Sequence, residues 1–177
     1  MTNKAERMKQ IEGDMTEKTL SAYRQLGPTR YRETSGLYYE DFEIGDTFEH
    51  RPGRTITDVD NIRMTLLTMN VQPVHFDAAY AAKTEWRKMV VDSTLTLALL
   101  TGMTARTVSA KVVANLGWDK VKVTYPLFAA DTLYAESTVL SKRESKSRPT
   151  QGIVTVSTRG LHSHRKRQRK SEGALVY

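Results

Sequence analysis

The sequence predicts an α+β domain in which one antiparallel sheet wraps a long apolar helix. Two observations predict it. The run "STLTLALLTGM", residues 93–103, places Leu95, Leu97, Ala98, Leu99, Leu100 and Met103 nearly all round a helix, and such a helix is buried on most sides. Beyond it, short alternating runs recur at Val121/Val123, at Val139 and from Ile153 to Val156, separated by Gly, Asp and Pro breaks. Helices followed by several turn-linked strands give an α+β order.

Met8, Ile11, Met15, Leu20, Tyr23 and Leu26 recur at roughly helical spacing. Residues 1–27 therefore read as an amphipathic helix, broken at Gly13-Asp14 and ended by Gly27-Pro28. With a linker to Gly36, residues 1–35 form an N-terminal helical extension. "EIGD" is a turn, and "TFEHRPGRTIT" is a strand with an irregularity at Pro52-Gly53. Thr57 and Asp60 have the spacing of an acidic capping box. A helix should follow from Asp58 to about Met69, with Ile62, Leu66 and Met69 on one face. "FDAAYAAKTEW" is a second, shorter helix, with Asp77 at its start as cap and dipole partner. Asp92 or Ser93 caps the long apolar helix. Strands occupy the remainder of a body spanning residues 36–161. Residues 162–177 read as a basic, solvated tail, whose last residues, "ALVY", can pair as an edge strand.

Composition narrows the class of protein. The 177 residues contain no cysteine, which excludes disulfides and thiolate metal sites and fits a reducing cytoplasm. The first thirty residues have no continuous apolar core, so they do not read as a signal peptide. The run from Leu95 to Met103 is too short to span a bilayer. The net charge of +7 lies at the ends: residues 1–35 carry +2, residues 159–177 carry +5, and the body is neutral. A neutral body is not the signature of a nucleic-acid-binding domain. His162 and His164 form a lone His-x-His, which is weak evidence for a metal.

The ordered segments "YEDFEIGDTFEHRPGRTITDVD", "QPVHFDAAYA", "VVDSTLTLAL" and "YPLFAADTLYAES" resemble the MaoC-like, hot-dog-fold enoyl-CoA hydratases over about residues 36–161. That family carries a Gly-Asp-x-Asn-Pro-aliphatic-His run, with Ala or Ser six residues later. Here Pro73, Val74, His75 and Ala81 match. Gln72 stands for the motif Asn, Asn70 for the Asp and Met69 for the Gly. "LTMNVQPVHFDAAYAAKTE", "STLTLALLTG", "VVANLGWD" and "ESKSRP" are similar to the mesaconyl-CoA/itaconyl-CoA hydratase branch, which tolerates Asn at position 70. The resemblance implies a hot-dog fold, a homodimer or higher oligomer, and an acyl-CoA thioester bound at the subunit interface. It implies syn addition of water to a short branched or dicarboxylic enoyl-CoA without metal or redox cofactor, coenzyme A being present only as part of the substrate.

Hydrating an enoyl thioester requires a base for water, a proton for the α-carbon and a stabiliser for the enolate-like oxygen. Imidazole suits the first task because it titrates near neutrality, so His75 is the candidate base and acid. Asn70 can orient water but cannot take its proton. An acid placed at position 70 would restore the broader family's residue, and it would repel a dicarboxylic substrate whose free carboxylate came near. Free N–H groups at the start of the long helix suit an oxyanion, which makes Ser93 and Thr94 candidate donors. In the family a His-Gly pair often occupies the positions of Asp92 and Ser93. Asn115, near Trp118, is a candidate for a polar acyl pocket. Arg148, with Lys142, Arg143 and Lys146, is a candidate for the coenzyme A phosphates. Two other readings remain open: an acyl-CoA thioesterase, since hot-dog folds host both chemistries, and a non-catalytic acyl-CoA-binding protein.

Overall fold

The computed structural model describes residues 22–162 and the backbone of residues 173–176. The chain divides into two compact units, 1–34 and 35–177.

In the first unit the described residues form a hairpin. β1 (Tyr23–Gly27) pairs antiparallel with β2 (Arg30–Glu33), placing Tyr23 opposite Glu33 and Gln25 opposite Tyr31. This corrects the expected helix over residues 23–27 and the linker over 28–33. Gly27-Pro28 turns a hairpin instead of ending a helix, and Gln25 Nε2 holds the turn by donating to the Gly27 and Pro28 carbonyls at 3.0 and 3.3 Å. Gly and Pro punctuate both structures, and the two tyrosines favour the strand. The rest of the expected N-terminal helix lies outside the described residues.

The second unit is built on a five-stranded antiparallel sheet in the order β3-β5-β6-β7-β4. Its strands are β3 (Thr47–Thr55), β4 (Gly117–Lys120), β5 (Thr132–Glu144), β6 (Gly152–His162) and β7 (Gly173–Val176). The helices are α1 (Asp58–Leu67), α2 (Ala78–Ala81) and α3 (Ser93–Thr104). The long apolar helix is therefore α3, as expected. It lies between two buried clusters. Leu97 packs against Phe42, Val108, Val139 and Val156, while Leu95, Leu99, Leu100 and Met103 belong with Ile56, Val91, Leu127 and Leu133. Close packing also seats the turn at Tyr39–Asp41 against β6. A Cβ on Gly152 would come within 2.0 Å of the Tyr39 ring, so only glycine fits there.

Three further expectations change. β4 stops at Lys120, and the alternating Val121 and Val123 are exposed. The buried residues of α1 are Asn61 and Thr65, whereas Leu66 and Met69 face outward. The expected tail supplies β7, which lies between β6 and β4 and not at an edge, so the sheet continues past residue 161.

A polar seam crosses the sheet. His50 on β3 is buried, with Nε2 2.8 Å from Ser137 Oγ on β5, which is 2.7 Å from Thr158 Oγ1 on β6. Thr107 Oγ1 closes the other side, 2.7 Å from His50 Nδ1. Burial and the neighbouring Arg51 charge hold the His50 ring below the usual histidine range, against an opposing pull from Glu136. Glu136 itself pairs with Arg159 across β5 and β6.

Candidate active site

His75 lies at the end of the sheet where β3 finishes and β5 begins. There Ile56 N–H donates to the Asp131 carbonyl at 2.9 Å, Val91 N–H donates to the Leu127 carbonyl at 2.8 Å, and Val90 pairs with Phe128. A single 3₁₀ turn, Pro73–His75, carries the histidine, and Pro73 at the turn's start needs no amide partner. Val90 N–H donates to the Val74 carbonyl at 3.1 Å and ties the turn to the chain entering α3.

The ring's protonation follows from its partner. His75 Nδ1 is 2.9 Å from the Val90 carbonyl oxygen. A carbonyl only accepts, so Nδ1 carries the hydrogen, and in the neutral ring Nε2 holds the lone pair. Among the described residues Nε2 has no hydrogen-bond partner.

Asn61 on α1 joins the segments that build this site. It is 2% exposed. Its amide donates to the His75 carbonyl at 2.7 Å and to the Val90 carbonyl at 3.0 Å, and its oxygen accepts from Asp92 N–H at 2.8 Å. Every donor of that amide is thus used at the site. The sequence offered only the wrong cue here, because position 61 falls beside the expected apolar face of α1; a polar residue on the inward face of a helix is a cue that emerges only once burial is known.

Asn70 follows α1 through Met69, whose φ of 57° is left-handed. This places the motif's glycine position in the conformation that glycine favours. Asn70 Nδ2 donates to Asp92 Oδ2 at 2.9 Å, and Asn70 Oδ1 accepts from Gln72 N–H at 3.0 Å. Asp92 is the N-cap of α3. Its Oδ1 accepts from Thr94 N–H at 2.7 Å and from the Thr94 hydroxyl at 2.6 Å. Burial pushes the Asp92 carboxyl up. The hydrogen bonds from the Thr94 hydroxyl, the Asn70 amide and Thr94 N–H, with the charge of His75 nearby, outweigh it and hold the group below the usual carboxylate range.

The remaining candidates divide. The Thr94 amide is committed to the cap, whereas Ser93 N–H has no partner among the described residues. Asp77 caps α2 by accepting from Tyr80 N–H at 2.9 Å. Asn115 accepts from Gly117 N–H in the loop before β4. Arg148 sits in the β5–β6 turn, bonded to Gln151. That turn is at the opposite end of β5 from His75, and thirteen residues of strand span roughly 40 Å. Within one chain Arg148 and His75 are therefore not brought together.

A family model described as mesaconyl-CoA hydratase matches residues 16–171. The chain belongs to the mesaconyl-CoA hydratase family. Similar curated proteins are a mesaconyl-CoA hydratase of Cereibacter sphaeroides, 30% identical over 74% of this chain, and one of Haloarcula marismortui, 33% identical over 71%. A β-methylmalyl-CoA dehydratase of Chloroflexus aurantiacus is 29% identical over 72% of the chain. The aligned residues cover only 38%, 35% and 36% of those proteins, so this chain spans little more than a third of their length. Among solved structures, an (R)-hydratase of Pseudomonas aeruginosa superposes with a TM-score of 0.64 at 24% identity, covering 78% of this chain and 83% of that one. A Mycobacterium tuberculosis protein with a double hot-dog fold gives 0.69 at 19% identity, covering 80% of this chain and 43% of that one. The fold of this member of the mesaconyl-CoA hydratase family is a hot-dog.

Proposed function

We propose that the chain hydrates a short branched or dicarboxylic enoyl-CoA of the mesaconyl-CoA or itaconyl-CoA type, and catalyses the reverse dehydration. The observation that carries this reading is the bond from His75 Nδ1 to the Val90 carbonyl, which leaves Nε2 as a base. In the forward direction His75 Nε2 takes a proton from water as its oxygen bonds to the β-carbon. The double-bond electrons move onto the thioester, whose oxygen accepts from Ser93 N–H at the start of α3. The imidazolium then returns the same proton to the α-carbon, which completes a syn addition and restores the neutral ring. Asn70 orients the water. In this reading the chain works in the cytoplasm as a homodimer or higher oligomer, and its substrate brings coenzyme A as the carrier.

Mesaconyl-, itaconyl- and crotonyl-CoA, each followed by loss of the conjugated absorbance, test the reading. Turnover of a branched or dicarboxylic substrate is expected. Release of free thiol from a saturated acyl-CoA would favour a thioesterase. Tight acyl-CoA binding with no turnover would favour a non-catalytic module.

A further inference from the structure

The carboxylate of this site comes from α3. Among the described acids, Asp92 is the one whose charge reaches His75 while its side chain is bonded to Asn70. It is 2% exposed, and each of its oxygens accepts a hydrogen bond: Oδ1 from Thr94, Oδ2 from Asn70. Buried carboxylates are retained only where such bonds offset the loss of water. The two partners also decide how Asn70 is oriented. A carboxylate accepts and the Gln72 N–H donates, so the amide nitrogen must face Asp92 and the amide oxygen must face Gln72. One N–H and one lone pair of Asn70 remain for water or substrate.

We infer that Asp92 is a charged positioning residue of the His75 site, fixing the polarity of the Asn70 amide. The inference rests on the hydratase reading above. Asp92 does not act as the base, since its hydrogen bonds lower its affinity for a proton and occupy both of its oxygens. The base remains His75.

An acid at position 70 therefore does not restore a lost group. It sets a second carboxylate 2.9 Å from the first in the present geometry, and two carboxylates sharing a site cannot both ionise freely. Asn70→Asp should lower activity on crotonyl-CoA as well as on a dicarboxylic substrate. Asp92→Asn leaves two amides facing each other, so either two N–H groups oppose or the cap on Thr94 is lost. Combining the substitutions restores one carboxylate facing one amide. The amide oxygen introduced at position 92 can still accept from Thr94, and the carboxylate introduced at position 70 can still accept from Gln72.

The test is a cycle of four full-length chains: parent, Asn70→Asp, Asp92→Asn and the double variant. kcat, KM and thermal midpoint are measured on whichever enoyl-CoA the parent turns over. Each single variant is expected to lose about tenfold or more in kcat, the range for a charge-assisted hydrogen bond, with a smaller change in KM. The double variant should run at least about threefold faster than the slower single variant, in keeping with pairwise coupling of residues in contact, but below the parent, because Asn70 itself faces the water. A double variant no faster than the slower single variant overturns the inference. So does a cycle that recovers the thermal midpoint but not kcat, because the pair would then be only structural. An active parent with Asp92→Asn unaffected overturns this inference and leaves the hydratase reading standing; a parent that turns over no enoyl-CoA overturns both.

Discussion

At His75 the Val90 carbonyl settles which nitrogen is basic, so the ring's chemistry depends on a backbone atom fifteen residues away. On the proposed hydratase reading, His75→Ala should cost more than about a hundredfold in kcat with KM little changed, the low end for loss of a general base; steady-state kinetics on whichever enoyl-CoA the parent turns over checks this. Asn61 acts one step back. Asn61→Leu strands the His75 carbonyl and Asp92 N–H and removes one of two donors to the Val90 carbonyl. Two orphaned buried groups should destabilise by about 2–6 kcal/mol, read from urea midpoints. Asp92 sets a pH signature. Its folded pKa lies below the unfolded value of 3.8, so its stabilisation is fully present above that value and is lost as pH falls through the lower, folded one. The stability gap between parent and Asp92→Asn should therefore be constant near neutrality and narrow below about pH 4. His75 and Asn70 stand out in the sequence as candidates because they fall in the run that resembles the family motif. Asn61 and the Asn70–Asp92 bond do not, since they join residues up to thirty-one positions apart and depend on which face of α1 turns inward.

Among the elements, α1 and α3 were well marked by their caps: Thr57 with Asp60, and Asp92 with Thr94. Caps are local chemistry, written within three or four residues. Strand pairing is not, which is why residues 23–33 read as helix and linker in the sequence, and why the exposed alternation at Val121 and Val123 suggests a longer β4. At the end of α1, Met69 holds a left-handed backbone that costs a residue with a Cβ roughly 1 kcal/mol. Met69 is 87% exposed and packs little. Met69→Gly should therefore stabilise or be neutral by thermal melting, whereas most substitutions destabilise. For α3, Leu95 is buried with Val91, Leu127 and Leu133. Leu95→Ala should cost about 2–5 kcal/mol by chemical denaturation.

For the whole molecule, the α+β class and the helix on its sheet followed from hydrophobic patterning alone. The strand order did not, because no local signal says that β7 inserts between β6 and β4. Truncation after His162 should therefore abolish cooperative melting of the sheet, although the segment removed reads as a basic tail. Circular dichroism on heating checks this. The seam from Thr107 through His50 to Thr158 gives the sheet a second pH response. Since the His50 ring is held below its unfolded value of 6.5, the unfolded chain binds its proton first, and stability falls as pH drops from about 6.5 toward the lower folded value. His50→Gln should flatten that slope.

β7 also governs how quickly the molecule can form. Gly117 on β4 meets Val176, and among the described residues β4 has no other strand beside it. The hairpin of β5 and β6 can close early, because its strands are joined by a short turn. β4 must wait for a partner fifty-nine residues further along, and the entropy of closing so long a loop is lost before any contact rewards it. Refolding should then show the β5–β6 ribbon gaining hydrogen-exchange protection before Gly117–Lys120. In that interval β6 presents an unpaired edge to other chains, so the refolding yield should fall as protein concentration rises.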